Sequence, residues 1–175
     1  MGEQESLTQA KKPWLISRGQ AKIQGMVRPG VWLPGIRDLH SIKEVWTIHA
    51  KPGDALEKVV EAVAQIQHQS IAQMHEINRQ DLFLSIYYYT PGAQWLDIVE
   101  IKFNPVENEN EAMCTADIRS FSTGLLPVSF PLCFVVNAVL FFIPFFDNHF
   151  NSQRLATLRS AMGITITLDT QCRGY

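Results

Sequence analysis

The sequence predicts an α+β fold: a curved antiparallel sheet of five or six strands with one helix after the first strand. An apolar helix and a C-terminal helix are predicted to pack together on one face of this sheet. Segments of alternating polar and apolar residues, the pattern of a half-buried strand, recur along the chain. Several of the links between them are short and rich in turn residues, which favours antiparallel neighbours because parallel strands need a long crossover. Two other segments repeat apolar residues at helical spacing.

The composition indicates a folded domain with a large apolar surface. The chain has 175 residues, of which 46% are hydrophobic and 18% are charged. So low a charged fraction argues against disorder and for a large buried or membrane-facing surface. The net charge is −2, so no overall basic field favours nucleic acid as a partner.

The cysteines and the first residues bear on cofactors and location. Cys114, Cys133 and Cys172 lie far apart and lack the spacing of zinc ligands, so we predict no metal and no cofactor. Sparse cysteines are typical of a reducing compartment. Residues 1–14 are polar and lack the apolar core of a secretory signal. These features favour an intracellular protein, cytoplasmic or organellar.

Residues 1–40 are predicted to be an extended, basic, proline-rich arm that precedes a single α+β domain at residues 41–175. Each proline removes a backbone donor and fixes φ, which disfavours regular structure. Basic residues outnumber acidic ones in this arm. The basic residues are Lys11, Lys12, Arg18, Lys22, Arg28 and Arg37, and the acidic residues are Glu3, Glu5 and Asp38.

The domain is predicted to open with a strand followed by an amphipathic helix. Residues 41–50 alternate, with Glu44 among the more apolar side chains of the strand. After a Pro-Gly turn, residues 54–67 carry an apolar stripe at helical spacing, with Asp54 as the predicted N-cap. Further strands are predicted at 70–77, 81–90, 94–103, 111–121 and 164–170, and a helix at 151–162 with Asn151 or Ser152 as its cap.

The apolar run at residues 125–146 has the length of a membrane span but is broken by prolines. The uninterrupted stretch, residues 132–143, would extend about 18 Å as a helix, which is short of a hydrocarbon core of about 30 Å. Asn137 lies near its centre, where an unpaired amide is costly. Three alternatives stay open: a helix buried on the sheet, a segment that enters a membrane or docks on a membrane partner, and a true span.

A set of polar residues is predicted to form either a structural clamp or a site that binds a polar head group. Asp147, Asn151 and Arg154 share one face of a helix because they are spaced four and then three residues apart. Glu100 and Arg119 lie on adjacent predicted strands and would form an ion pair, which Asp147 could complete. The full set is Asp97, Glu100, Arg119, Asp147, Asn151 and Arg154.

Three short motifs resemble an uncharacterised family catalogued as domain of unknown function fourteen ninety-nine. Asp97, Val99 and Glu100 match its first motif; Arg119, Ser120, Ser122 and Gly124 match its second; and Asp147, Asn151 and Arg154 match its third. The resemblance covers about residues 41–162. It implies a small α+β domain, in some members associated with a membrane or plastid, with no assigned reaction and no catalytic residue to carry over.

The predicted function is non-catalytic: binding of a hydrophobic small molecule or lipid, or association with a membrane or membrane complex. The Phe-rich segment would make the contact. One alternative is a small-pocket enzyme, isomerase- or cyclase-like, with Asp97 or Glu100 as its base. Another is a structural subunit of a larger assembly. A buried carboxylate that faces an open pocket without an arginine partner would favour the enzyme. The contact residues are Phe130, Phe134, Phe141, Phe142, Phe145 and Phe146.

Overall fold

A computed structural model describes residues 12–33, 36, 38–67, 71–106, 112–143 and 150–174 of the chain. In these residues the helices and strands alternate only at the start of the sheet, and four consecutive strands follow. The helices are α1 (Leu15–Val27), α2 (Pro29–Trp32), α3 (Pro52–Ile66), α4 (Cys133–Val139) and α5 (Phe150–Ala161). The strands are β1 (Ser41–Ile48), β2 (Ile71–Asn78), β3 (Phe83–Tyr89), β4 (Leu96–Pro105), β5 (Cys114–Ser122) and β6 (Ile166–Gly174).

The strands form one antiparallel sheet in the order β2-β3-β4-β5-β1-β6. The predicted α+β class is therefore confirmed, and each predicted strand overlaps an observed one. The meander β2 to β5 follows from the short links, since each hairpin pairs neighbours in sequence. The first strand, β1, lies between β5 and β6, so both ends of the domain meet at one side of the sheet.

The two faces of the sheet carry different helices. On the α3 face, α3 and α5 cover a core that contains Trp46, Val99 and Ile118. On the α1 face, α1 and α4 cover a second cluster that contains Ile98 and Phe121. Strand alternation explains this division, because consecutive residues of a strand point to opposite faces. The sequence placed the apolar helix and the C-terminal helix on one face. This detail is wrong, since α4 and α5 lie on opposite faces.

The predicted extended arm is also wrong over Leu15–Val27, which forms α1. No proline interrupts residues 14–28, so nothing prevents a helix there, and Pro29 begins the next short helix. Gln20 fixes α1 to the segment between β5 and α4, since its Nε2 donates hydrogen bonds of 2.9 Å to the carbonyls of Val128 and Phe130. The N-terminal segment is therefore a packed part of the domain from α1 onward.

A close contact between Gly124 and Asn137 joins the end of β5 to α4. The Asn137 amide is buried and bonds the backbone of Leu126 twice, accepting from its N–H at 2.7 Å and donating to its carbonyl at 2.9 Å. A Cβ added to Gly124 would lie 2.2 Å from Cγ of Asn137. Only a residue without a Cβ fits beside an amide that is held on both sides.

We expect Gly124→Ala to destabilise the protein by about 1–3 kcal/mol, the usual range for overpacking a core. Urea denaturation followed by circular dichroism measures the loss. Gly19→Ala is the matched control, because Gly19 lies in α1 with no atom within 4 Å of the added Cβ, and alanine favours a helix. Equal stability of the Gly124→Ala variant and the wild type would contradict the contact.

Candidate functional site

The predicted polar cluster is divided between the two faces of the sheet. Asp97 points to the α3 face, where its carboxylate forms a largely buried ion pair with Arg154 of α5. The Arg154 guanidinium also lies 5.6 Å from the ring centre of Tyr88. Arg154 therefore fastens α5 to β4. The predicted clamp had instead consisted of Glu100, Arg119 and Asp147. Asp147 lies outside the described residues.

Asn151 belongs to the same side but does not cap α5 from outside. It lies within the helix and is fully buried. Ser120 donates its hydroxyl proton to the Asn151 side-chain oxygen at 2.6 Å, and the Asn151 amide donates to Ser122 Oγ at 3.3 Å. Asn151 thus satisfies two hydroxyls of β5 that face the core, which is a structural role.

Glu100 and Arg119 form the predicted ion pair, but on the α1 face. They are direct neighbours in the β4–β5 register, with Arg119 Nη1 3.2 Å from Glu100 Oε2. A second carboxylate, that of Asp38, lies 3.7 Å from Arg119 Nε. The guanidinium also lies 4.4 Å from the ring centre of Phe121. Arg119 is therefore held by two acids and an aromatic face on this side of the sheet.

A buried ion pair that was not predicted from the sequence joins Glu44 of β1 to Arg159 of α5. The Glu44 side chain is fully buried on the α3 face, where it accepts a hydrogen bond of 2.6 Å from Trp46 Nε1 and pairs with Arg159. One half of this pair was visible in the sequence, because Glu44 interrupts the apolar register of β1. Its partner, Arg159, could not be identified from the sequence, because it lies 115 residues further along the chain.

The outer side of α1 is apolar and its buried side is polar. The residues buried beneath the helix are Ser17, Gln20, Ala21 and Gln24. An ordinary surface helix has the reverse arrangement, with its apolar stripe against the core. Leu15 is 85% exposed on the outer side. The exposed apolar residues of α1 are Leu15, Ile16, Ile23, Met26 and Val27, and Trp14 and Trp32 flank them.

The neighbouring segment 125–143 has the same inside-out arrangement. In α4 the buried residues are Cys133 and Asn137, and burial raises the pKa of the Cys133 thiol. Val139 on the outer side is 71% exposed. Val135 and Val139 lie on one side of α4, because they are four positions apart in the helix. Exposed Leu132 and Phe142 flank the helix, and we call these four residues the stripe: Leu132, Val135, Val139 and Phe142.

The predicted phenylalanines take different positions in this segment. Phe130 and Phe142 are exposed, Phe134 is half-buried, and Phe141 is only 1% exposed. Phe145 and Phe146 lie outside the described residues. The segment is thus anchored by buried groups and presents apolar side chains outward. None of the helices in the described residues is both long and apolar enough to cross a bilayer.

A half-open cavity of about 520 Å³ lies beside this surface, between the C-terminal half of α1 and the sheet. Its floor is formed by residues of β3, β4 and β5 that point to the α1 face. The floor and wall contain Phe83, Ser85, Tyr87, Ile98, Glu100, Arg119 and Phe121. The predicted contact phenylalanines that are described do not line it.

No protein-family model matches the chain, and no curated protein matches it. The resemblance to the uncharacterised family stays a prediction.

Proposed function

We propose that the protein docks on a membrane surface through the inside-out face. We define this face as the outer sides of α1 and of segment 125–143. The observation that supports the proposal is the inverted polarity of two adjacent helices. Each buries glutamine, serine, asparagine or cysteine and turns its aliphatic residues outward.

The energetic cost of this face in water is substantial. Burying one aliphatic side chain contributes roughly 1.5–3 kcal/mol, so leaving many of them in water forgoes that stabilisation. Large contiguous apolar patches on a folded protein are typical of interaction sites. The two glutamines beneath α1 are used in structure, because Gln20 and Gln24 donate hydrogen bonds to backbone carbonyls of residues 123–130. The arrangement is therefore well ordered and not an accident of poor packing.

The charges around the face favour an anionic bilayer over a protein surface. Between residues 12 and 32 the chain carries no acidic residue, and its basic residues are Lys12, Arg18, Lys22 and the buried Arg28. Lys12 and Arg18 are exposed beside Trp14 at the start of α1. Amphipathic helices that lie in a membrane interface combine basic side chains with Trp, Leu and Phe in this way.

The enzymatic alternative lacks its distinguishing feature. Asp97 faces the core and is paired with Arg154, and Glu100 faces the cavity but is paired with Arg119. Neither is a carboxylate in an open pocket without an arginine partner. We therefore assign no catalytic residue.

Co-sedimentation with vesicles tests the proposal. We expect the wild type to pellet with phosphatidylcholine vesicles that contain phosphatidylserine, and less with phosphatidylcholine alone. Val135→Asp with Val139→Asp places two charges on the apolar stripe without touching the buried side of α4. Loss of about 1.5 kcal/mol for each valine should lower partitioning on the order of a hundredfold.

The matched control is Val106→Asp with Leu168→Asp. Both residues are exposed and apolar, but they lie at the far end of β4 and on the edge strand β6. This variant should pellet like the wild type. The membrane assignment fails if the wild type does not pellet with anionic vesicles. It also fails if both double variants lose vesicle binding equally. Concentration-dependent self-association abolished only by the α4 variant would instead assign the face to a second copy of the chain.

A further inference from the structure

The floor of the cavity has an apolar row and a polar row that run side by side across the sheet. The strand register places Tyr87 opposite Ile98 and Ile98 opposite Phe121. Two residues away along each strand, the register places Ser85 opposite Glu100 and Glu100 opposite Arg119. An occupant that lies across both rows must therefore be amphipathic.

The roof is the C-terminal half of α1 together with the chain that follows it. Lys22, Gly25 and Met26 contribute from the helix, and Arg28 and Gly30 from the following segment. Gly25 allows the helix to approach the floor, since a Cβ there would lie 2.7 Å from Tyr87 Oη. The cavity is thus enclosed by the α1 backbone and by the strands of the floor. The side chains of Lys22 and Met26 lie at its solvent-exposed side.

Several polar groups of the cavity are not committed to other described residues. Ser85 and Tyr87 are buried, and no hydrogen bond from either hydroxyl to another described residue is present. Lys22 likewise has no ion pair among the described residues. The Tyr87 ring is stacked on His75, with 4.0 Å between ring centres. Two hydroxyls and an ammonium group therefore face the same space.

The ionisation states fit a hydrogen-bond acceptor in this space. Burial, with Glu100 and Glu76 nearby, raises the pKa of Tyr87 to about 12, so its hydroxyl stays a donor at physiological pH. Burial also lowers the pKa of His75, with Lys22 acting in the same direction and Glu76 opposing. The imidazole is then neutral. Lys22 lines the cavity as a positive charge that has no ion pair with a residue in the part of the chain that the structure describes.

We infer that the cavity binds a small amphipathic carboxylic acid. Its apolar part would lie on Ile98, because the guanidinium groups of Arg28 and Arg119 lie over the Phe121 ring. Its carboxylate would accept hydrogen bonds from Lys22, Ser85 and Tyr87. A carboxylate suits this set because all three groups donate, and the ammonium group supplies the opposite charge. Cavities of this size and mixed lining are typical of small-molecule sites. This inference does not rest on the membrane proposal, since Met26 is the one described residue that the cavity lining shares with the inside-out face.

The charge arm of the test uses decanoate and decanol, below their aggregation concentrations and without vesicles. Isothermal titration calorimetry on the full chain should give tighter binding of decanoate than of decanol. Lys22→Met should lower the decanoate affinity about tenfold, because one charge-assisted contact is lost. Decanol binding should be unchanged. The matched control is Lys12→Met, which removes an exposed lysine that does not line the cavity.

The steric arm places a bulky ring at the opening. Met26 is exposed and lines the cavity, whereas Ile23, one turn earlier, is exposed and does not. Met26→Trp should lower binding of both compounds, and Ile23→Trp should not. Because both residues are at the surface, both variants are expected to fold, and circular dichroism checks this.

Two results would overturn the inference. One is decanoate affinity that is insensitive to Lys22→Met and Met26→Trp in folded protein. The other is decanoate binding that is lost in the variant with Val135→Asp and Val139→Asp, which would assign the binding to the inside-out face. Absence of measurable decanoate binding by the wild type also rejects the carboxylate assignment. None of these results bears on vesicle binding, so failure here and failure of the membrane proposal are distinguishable.

Discussion

Replacing Arg159 by methionine should destabilise the protein by about 3–5 kcal/mol, because it removes a positive charge that pairs with a buried carboxylate, that of Glu44. The Glu44 side chain has no exposed area, and Trp46 Nε1 donates a neutral hydrogen bond to it. Methionine fills much of the volume of the arginine stem. The loss of stability therefore measures the removal of the charge and not the creation of a cavity. Urea denaturation at neutral pH measures the change in the free energy of unfolding.

A double-mutant cycle distinguishes this explanation from lost packing. Glu44→Gln combined with Arg159→Met should recover most of the stability, since no uncompensated charge is then buried. Arg79→Met is the matched control, because Arg79 pairs with Glu57 at the surface and should leave the midpoint of unfolding unchanged. If Arg159→Met is as mild as the surface control, the buried pair does not hold α5 to β1 as described.

Replacing Phe141 by aspartate should have an effect of similar or greater size. The Phe141 ring is 1% exposed and packs edge-on against His40, with 5.8 Å between ring centres. The guanidinium carbon of Arg28 lies 5.0 Å from the same ring centre. Removing a buried phenylalanine alone costs about 3–5 kcal/mol, and a charge in its place adds a desolvation penalty. We expect Phe141→Asp to be largely unfolded at 37 °C, as measured by thermal circular dichroism.

The next residue supplies the control for this substitution. Phe142 is 58% exposed on the stripe of α4, so Phe142→Asp should keep the fold and lower binding to anionic vesicles. The opposite pattern, a folded Phe141→Asp variant and an unfolded Phe142→Asp variant, would contradict the described orientation of segment 125–143. The two substitutions thus test separately whether the segment anchors the fold through Phe141 and whether it binds vesicles through Phe142.

The sheet was predictable because its information is local. Alternation and short turn-rich links identify β2 to β5 and their antiparallel pairing, and register follows from the hairpins. The Glu100–Arg119 pair was predictable for the same reason, since both residues lie on adjacent strands of one hairpin. Asp97 and Arg154 were identified as members of a polar set, but their pairing across the α3 face depends on where α5 packs.

The remaining features depend on tertiary packing that one sequence does not encode locally. Helix α1 was missed because Pro13 and Pro29 flank it closely and because its apolar face points outward. Glu44 and Arg159 are brought together only by packing of α5 on β1. The cavity forms where α1 packs over strands β3 to β5. It therefore could not be predicted from any single segment of the sequence.

The most direct test of the membrane assignment is the depth of Trp14 in a bilayer. The variant with Trp32→Phe and Trp95→Phe keeps Trp14, which is exposed at the start of α1, and Trp46, which is fully buried on the α3 face. We predict that phosphatidylserine-containing vesicles with brominated acyl chains quench the Trp14 emission, and that the Trp46 background persists. The same quenching should be absent when Val135→Asp and Val139→Asp are added. Emission that is identical in brominated and unbrominated vesicles would contradict the proposal that the inside-out face enters the membrane.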